Sequence, residues 1–162
     1  RAVLDVSQPC GDLILDESDG PLVLVSAGIG ITPIAAIVED LSRRQPDRQV
    51  RIFHADTSHR NAGWHAPTRG RVRAPGDRKA QNWYEEDAES APTLHPALPG
   101  YMDLSDIQIP SDATVFMCGP LPFMRATRRA LLDKGISGER IHYEVFGPDL
   151  WAQNPDSAED AG

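Results

Sequence analysis

Apolar positions along the chain fall into two alternating rhythms. In PLVLVS, from Pro21 to Ser26, they run together and are branched, as in a short strand covered on both faces of a parallel sheet. Ile34, Ile37, Val38 and Leu41 then recur at helical spacing, and the repeat ends in RRQPD before Pro46. That pattern predicts a helix of about three turns. QVRIFHA (Gln49–Ala55) and TVFMCG (Thr114–Gly119) read as further strands. In PLPFMRATRRALLDKG, Phe123, Thr127, Ala130 and Leu131 share one helical face, with Gly135 placed as a C-terminal cap. RIHYEVFG (Arg140–Gly147) supplies a last strand. Strands alternating with helices predict an α/β fold of right-handed βαβ units, with ligand sites at the carboxyl ends of the strands.

Three segments break the rhythm. Within residues 1–20, CGDLILDESDGP alternates Leu13 and Leu15 with polar neighbours, as in an antiparallel strand, so the chain is expected to begin inside a neighbouring domain. Residues 61–80 are rich in Arg, Pro, Gly and Ala, with Val72 as the only aliphatic residue. They cannot bury a helical face, and are expected to be an irregular insert, a replaced or out-of-frame helix, or a long solvated loop. Residues 151–162 end in an acidic, apolar-poor tail expected to be disordered. Residues 21–150 then form the folded domain.

Composition narrows the function. At 162 residues, 40% hydrophobic and 25% charged, the chain suits one globular domain, and its net charge of −8 disfavours nucleic acid or an anionic membrane as partner. No apolar run reaches membrane-spanning length, and RAVLDVSQPCG lacks the apolar centre of a secretory signal. Cys10 and Cys118 are far apart, so reduced thiols and a cytoplasmic location are expected. His54, His59, His65, His95 and His142 show no metal-ligand spacing, and no metal site is expected.

The chemistry concentrates where the first strand becomes the first helix, in SAGIGITP. Gly28 and Gly30 permit positive φ and close approach of a ligand, Thr32 suits an N-cap and Pro33 a first helical residue. The helix then aims free N–H groups and its positive dipole end at the strand edge, where a pyrophosphate fits. Pro33 replaces the third glycine of the dinucleotide fingerprint, and neither a P-loop nor a nucleophile elbow is present. MCGP places Cys118, Gly119 and Pro120 at a second strand-to-helix turn on the same edge, and YEVFGP ends the last strand on Glu144 and Phe146.

Together AGIGITP, MCGP and YEVFG resemble the nicotinamide-binding half of the ferredoxin–NADP reductase superfamily, and within it the bacterial flavohaemoglobins, which are nitric oxide dioxygenases. The likeness covers most of the chain outside residues 61–80 and the acidic tail. It implies a doubly wound, five-stranded parallel sheet of order 3-2-1-4-5, lacking the helix that relatives place between the second and third strands. It also implies that residues 1–20 are the end of a flavin-binding domain. By this resemblance Gly28, Ile29, Gly30, Thr32 and Pro33 lie at the pyrophosphate and nicotinamide. Cys118, Gly119 and Pro120 line the nicotinamide, with the Cys118 thiol near the carbon that loses hydride. Glu144 and Phe146 meet the flavin.

The implied reaction passes hydride from NADH to FAD and electrons onward to haem, with FAD and haem carried by flavin-binding and globin domains or chains. Of the cofactor-selecting residues in HADTSHR, Asp56 stands nearer the strand end than Arg60, which favours NADH over NADPH. No flavin-binding Arg-x-Tyr-Ser motif or globin segment is present, so the chain is expected to be only part of such an enzyme. Two other readings stand beside this one: the reductase component of another oxygenase, and a truncated, non-catalytic nucleotide-binding remnant.

Overall fold

A computed structural model describes residues 13–15, 18–60, 79–91 and 97–145. Its strands are β1 (Leu22–Ala27), β2 (Val50–Ser58), β3 (Lys79–Glu86), β4 (Ala97–Pro99), β5 (Thr114–Cys118) and β6 (Ile141–Glu144), and its helices are α1 (Ile31–Arg44) and α2 (Leu121–Asp133). All strand pairs are parallel, in the order β4-β3-β2-β1-β5-β6. The five expected strands therefore stand in their expected order. Among the described residues the strand count is six rather than five, because Ala97–Pro99 pairs outside β3 through Asn82↔Ala97, Trp83↔Leu98 and Tyr84↔Pro99.

Every residue of β1 is buried, as its unbroken apolar run requires of a central strand. Leu22 and Leu24 face α1 and pack with Ile34, Val38, Leu41 and Phe116. Val23 and Val25 face the other way, into a cluster with Phe53, Trp83, Met117, Met124 and Leu131 beneath α2. One strand thus joins two cores by the period of two in its side chains. Phe53 and Trp83 meet edge to face, with ring centroids 6.0 Å apart.

Local chemistry sets the ends of the helices. Gly135, at φ +85°, closes α2: its N–H donates to Leu132 O at 2.8 Å and the N–H of Ile136 to Leu131 O at 3.2 Å. This is the paired-bond helix stop that glycine favours, with Leu131 and Ile136 both buried. Beyond α1 the buried Arg48 donates to Gly20 O (2.8 Å), Gln45 Oε1 (2.9 Å) and Ser18 Oγ (3.1 Å). A buried guanidinium needs such acceptors, and these tie the approach to β1 onto the α1–β2 turn.

Leu13 and Leu15 pack on the α1 side of the core while Ile14 is 75% exposed, so the expected alternation is present. Residues 13–15 nevertheless form no strand, since no neighbour among the described residues pairs with them. The stretch expected to be irregular ends earlier than residue 80, because Lys79 and Ala80 already belong to β3. Residues 61–78, the acidic tail and Phe146 lie outside the described residues.

Candidate functional site

Strand order reverses between β1 and β5, and the turns leaving these two strands meet there. Gly28–Gly30 form a single 3-10 turn that runs directly into α1. Gly28 has φ +52° and open space where a Cβ would lie, whereas a Cβ on Gly30 would fall 2.1 Å from Cys118 O. The first glycine is thus required by conformation and the second by contact. Gly119 is confined as well: its Cβ would come 2.9 Å from Phe123 Cδ1 and 3.2 Å from Ala27 Cβ.

The helix start differs from expectation. Gly30, not Thr32, occupies the N-cap position, and Thr32 Oγ1 donates to Ile29 O at 2.6 Å. The cause is the 3-10 turn, which brings the chain into helical conformation before Thr32 is reached. Pro33 becomes the third helical residue, where its missing N–H still falls among those without an intrahelical acceptor. Ile29 stands 71% exposed at the tip of the turn.

From this point a cleft of about 560 Å³ runs along the carboxyl edge. Ala27, Gly28, Ala55, Asp56 and Thr57 line it from the β1 and β2 ends, and Pro120, Pro122, Phe123 and Ala126 from the start of α2. Its size is that of an ordinary small-molecule site. Glu85, near the end of β3, and Tyr101 and Asp103, which follow β4, also line it, and sequence reasoning missed these three. For Tyr101 and Asp103 the only signal was Gly100-Tyr101 after a three-residue strand too short to show a period. The Tyr101 hydroxyl is raised above its usual pKa by its hydrogen bond to Glu85 and by that carboxylate's charge.

Cys118 is fully buried and in register with Glu144 across β5 and β6. Burial, and then the Glu144 charge, push its thiol pKa up to about 11, against a hydrogen bond from Gly119. It is a neutral thiol at physiological pH, with no thiolate nucleophile to offer. Asp56 Oδ1 accepts its neighbour Thr57's N–H at 2.7 Å. Arg60, the competing cofactor selector, turns to Asp87, with Nε 3.6 Å from Oδ2. The carboxylate of Asp87 also accepts from Ser58 Oγ at 2.7 Å and from His59 N at 3.0 Å.

The other sequence candidates divide. Gly28, Ile29, Gly30, Thr32, Pro33, Asp56, Cys118, Gly119 and Pro120 all stand on the carboxyl edge around the β1–β5 reversal, and Glu144 joins them at the end of β6. Phe146 is two residues beyond Glu144 and outside the described residues. His54 is buried, His59 packs on Tyr84 and His142 stacks on Phe116. Among the described residues no group of three His, Cys, Asp or Glu side chains could hold a metal. No helix among them is long and apolar enough to cross a membrane.

A glycine turn, an α-helix N-terminus and a cleft at the reversal of a parallel sheet define a doubly wound α/β nucleotide-binding domain of the ferredoxin–NADP reductase type. No family model matches the chain. It is 42% identical over 153 residues to the flavohemoprotein of Bordetella pertussis, across 90% of this chain and 37% of that protein. In structure it is similar to the FAD/NAD-binding domain of the nitric oxide dioxygenase of Vibrio cholerae (TM-score 0.73, 33% identity, covering 86% of this chain and 56% of that one). It is also similar to the flavohemoglobin of Malassezia yamatoensis, whose crystal structure holds FAD and heme (TM-score 0.72, 35% identity, 87% and 36%). Flavohemoproteins are thus similar to the chain at 32–42% identity over about nine-tenths of its length, and it spans a little over a third of the Bordetella relative's length.

Proposed function

We propose that this chain is the NADH-binding part of a flavin-dependent reductase of the nitric oxide dioxygenase type. The observation that carries the reading is the Gly28–Gly30 turn, with open space over Gly28, at the amino end of α1 and the mouth of the cleft. Backbone N–H groups and the helix dipole favour a pyrophosphate there. Ile29, Thr32 and Pro33 shape its edge, and Asp56 accepts from the adenosine ribose hydroxyls. Asp56, Glu85 and Asp103 together place carboxylates along the cleft, which disfavours the additional phosphate of NADPH.

Bound NADH would supply a hydride, and FAD on a neighbouring flavin-binding domain would accept it for onward transfer to haem in a globin domain. This chain's residues bind and orient. Cys118, Gly119 and Pro120 stand on the nicotinamide side: Pro120 lines the cleft, and the protonated thiol of Cys118, fully buried, packs behind that wall. Glu144, with Phe146 beyond it, faces the flavin side. Flavin-binding and globin domains or chains are the expected partners, and neither nucleic acid nor a membrane is. A cytoplasmic location, with both thiols reduced, is part of the same reading.

Titration calorimetry with NADH, on the chain and on Gly28→Val, tests the reading. A valine side chain enters the open space over residue 28, so saturable binding that is lost in a folded variant is the expected result. Equal binding by both, or none by the folded parent chain, would refute it.

A further inference from the structure

Behind Asp56 stands a buried polar chain that the proposed cofactor chemistry does not by itself require. Ser26 of β1 and His54 of β2 are register partners, 0% and 3% exposed. Ser26 Oγ lies 3.0 Å from His54 Nδ1. The opposite ring nitrogen, Nε2, is buried without a hydrogen-bond partner and lies 3.7 Å from Asp56 Oδ2. Asp56 Oδ1 is already held by the Thr57 N–H. A buried nitrogen with no bond is costly to leave so, and the charged atom that stands before it among the described residues, Asp56 Oδ2, belongs to the rim of the cleft.

We propose that Ser26 and His54 form a relay that sets the orientation of Asp56 for the ribose of the cofactor, making His54 a positioning residue for cofactor choice. The inference rests on Asp56 being the ribose ligand. Its logic is that of one proton and two nitrogens. Burial lowers the His54 pKa against the pull of Asp56, so the ring is neutral and carries a single N–H. If that proton were on Nδ1, a bare Nε2 lone pair would face a carboxylate, which is repulsive. With Ser26 Oγ donating to Nδ1, the proton sits on Nε2 and points at Oδ2. A small rotation of the carboxylate brings the pair to an ordinary hydrogen-bond length of about 2.9 Å. One oxygen of Asp56 is then held by the Thr57 N–H and the other by His54, leaving the outward lone pairs for two ribose hydroxyls.

Long-range 1H–15N spectra of the folded chain, with and without NADH, read the tautomer directly. The expected state is a protonated Nε2 and a bare Nδ1, with the Nε2–H signal moving downfield on NADH addition, and a mixture of tautomers in Ser26→Ala. Binding of NADH and of NADPH is then measured on four variants. His54→Phe should weaken NADH by about tenfold and narrow the preference over NADPH, since a folding defect would lower both affinities alike. His54→Gln, whose amide can donate, should recover most of the preference. A protonated Nδ1 in the parent chain overturns the relay. So does unchanged NADH affinity and preference in both His54 variants while Asp56→Ala is weakened. Unchanged affinity in Asp56→Ala itself removes the ribose assignment, and the relay's purpose with it, whatever the tautomer.

Discussion

A Cβ placed on Gly30 would lie 2.1 Å from the carbonyl oxygen of Cys118, so the turns leaving β1 and β5 are in backbone contact. The two halves of the proposed nicotinamide site are therefore one rigid piece, held by the absence of a side chain.

Gly30→Ala should destabilise the fold by roughly 3 kcal/mol or more, because neither backbone can yield without breaking a strand pair. Gly28→Ala meets no atom and carries only the cost of its positive φ, about 1–2 kcal/mol. Urea unfolding of both variants should therefore separate them clearly, with Gly30→Ala the weaker. Equal midpoints would mean that the contact is soft.

Cys118 should resist alkylation at pH 8 in the native chain and react on unfolding, as read by mass mapping of its peptide. Its pKa, 9.0 in the unfolded reference, is raised to about 11. A raised value favours the protonated folded state, so this contribution is complete below pH 9 and is lost as pH climbs towards 11. In Cys118→Ala the loss of stability across that window should be shallower than in the parent chain.

His54 acts at the other end of the pH scale. Burial depresses its pKa below 6.5, so the neutral ring favours the fold above that value and the advantage fades as pH falls through the folded-state pKa. His54→Gln should flatten the acid side of a thermal-melt profile below pH 6.5. An unchanged slope would place the acid sensitivity elsewhere.

Asp87 is the only described non-glycine residue with positive φ, at 52°, and its carboxylate collects Ser58 Oγ and the His59 N–H. Burial pushes its pKa up, but the bonds from Ser58 and His59 bring it below 3.8 overall. Asp87→Ala should lower the melting temperature and speed amide exchange at Ser58–Arg60, whereas Asp87→Asn, which keeps an acceptor and tolerates the left-handed conformation, should do so less. The parent's advantage over Asp87→Ala should hold above pH 3.8 and vanish as pH falls through the folded-state pKa.

Much of the fold was legible because its elements announce themselves locally: the unbroken run of β1, the helical repeat of α1 and the glycine that closes α2. The phosphate turn was legible too, since Gly28 and Gly30 stand where strand gives way to helix. Its fine structure was not. Residue types favour Thr32 as a cap, but the 3-10 turn moves the helix start upstream of it. Contacts that depend on register were also hidden, because nothing local tells Ser26 that His54 is its partner or Gly30 that Cys118 lies against it. The strand at Ala97–Pro99 has too few residues for alternation to show, and Tyr101 and Asp103 were lost with it.

That same short strand bears on how copies of the chain behave in a crowded solution. An outer strand normally offers a ladder of unused N–H and C=O groups on which a second chain can zip. Here β4 has three residues, and the last of them is Pro99, which has no hydrogen to give. Among the described residues, this side of the sheet gives growth of fibres by strand addition almost nothing to hold.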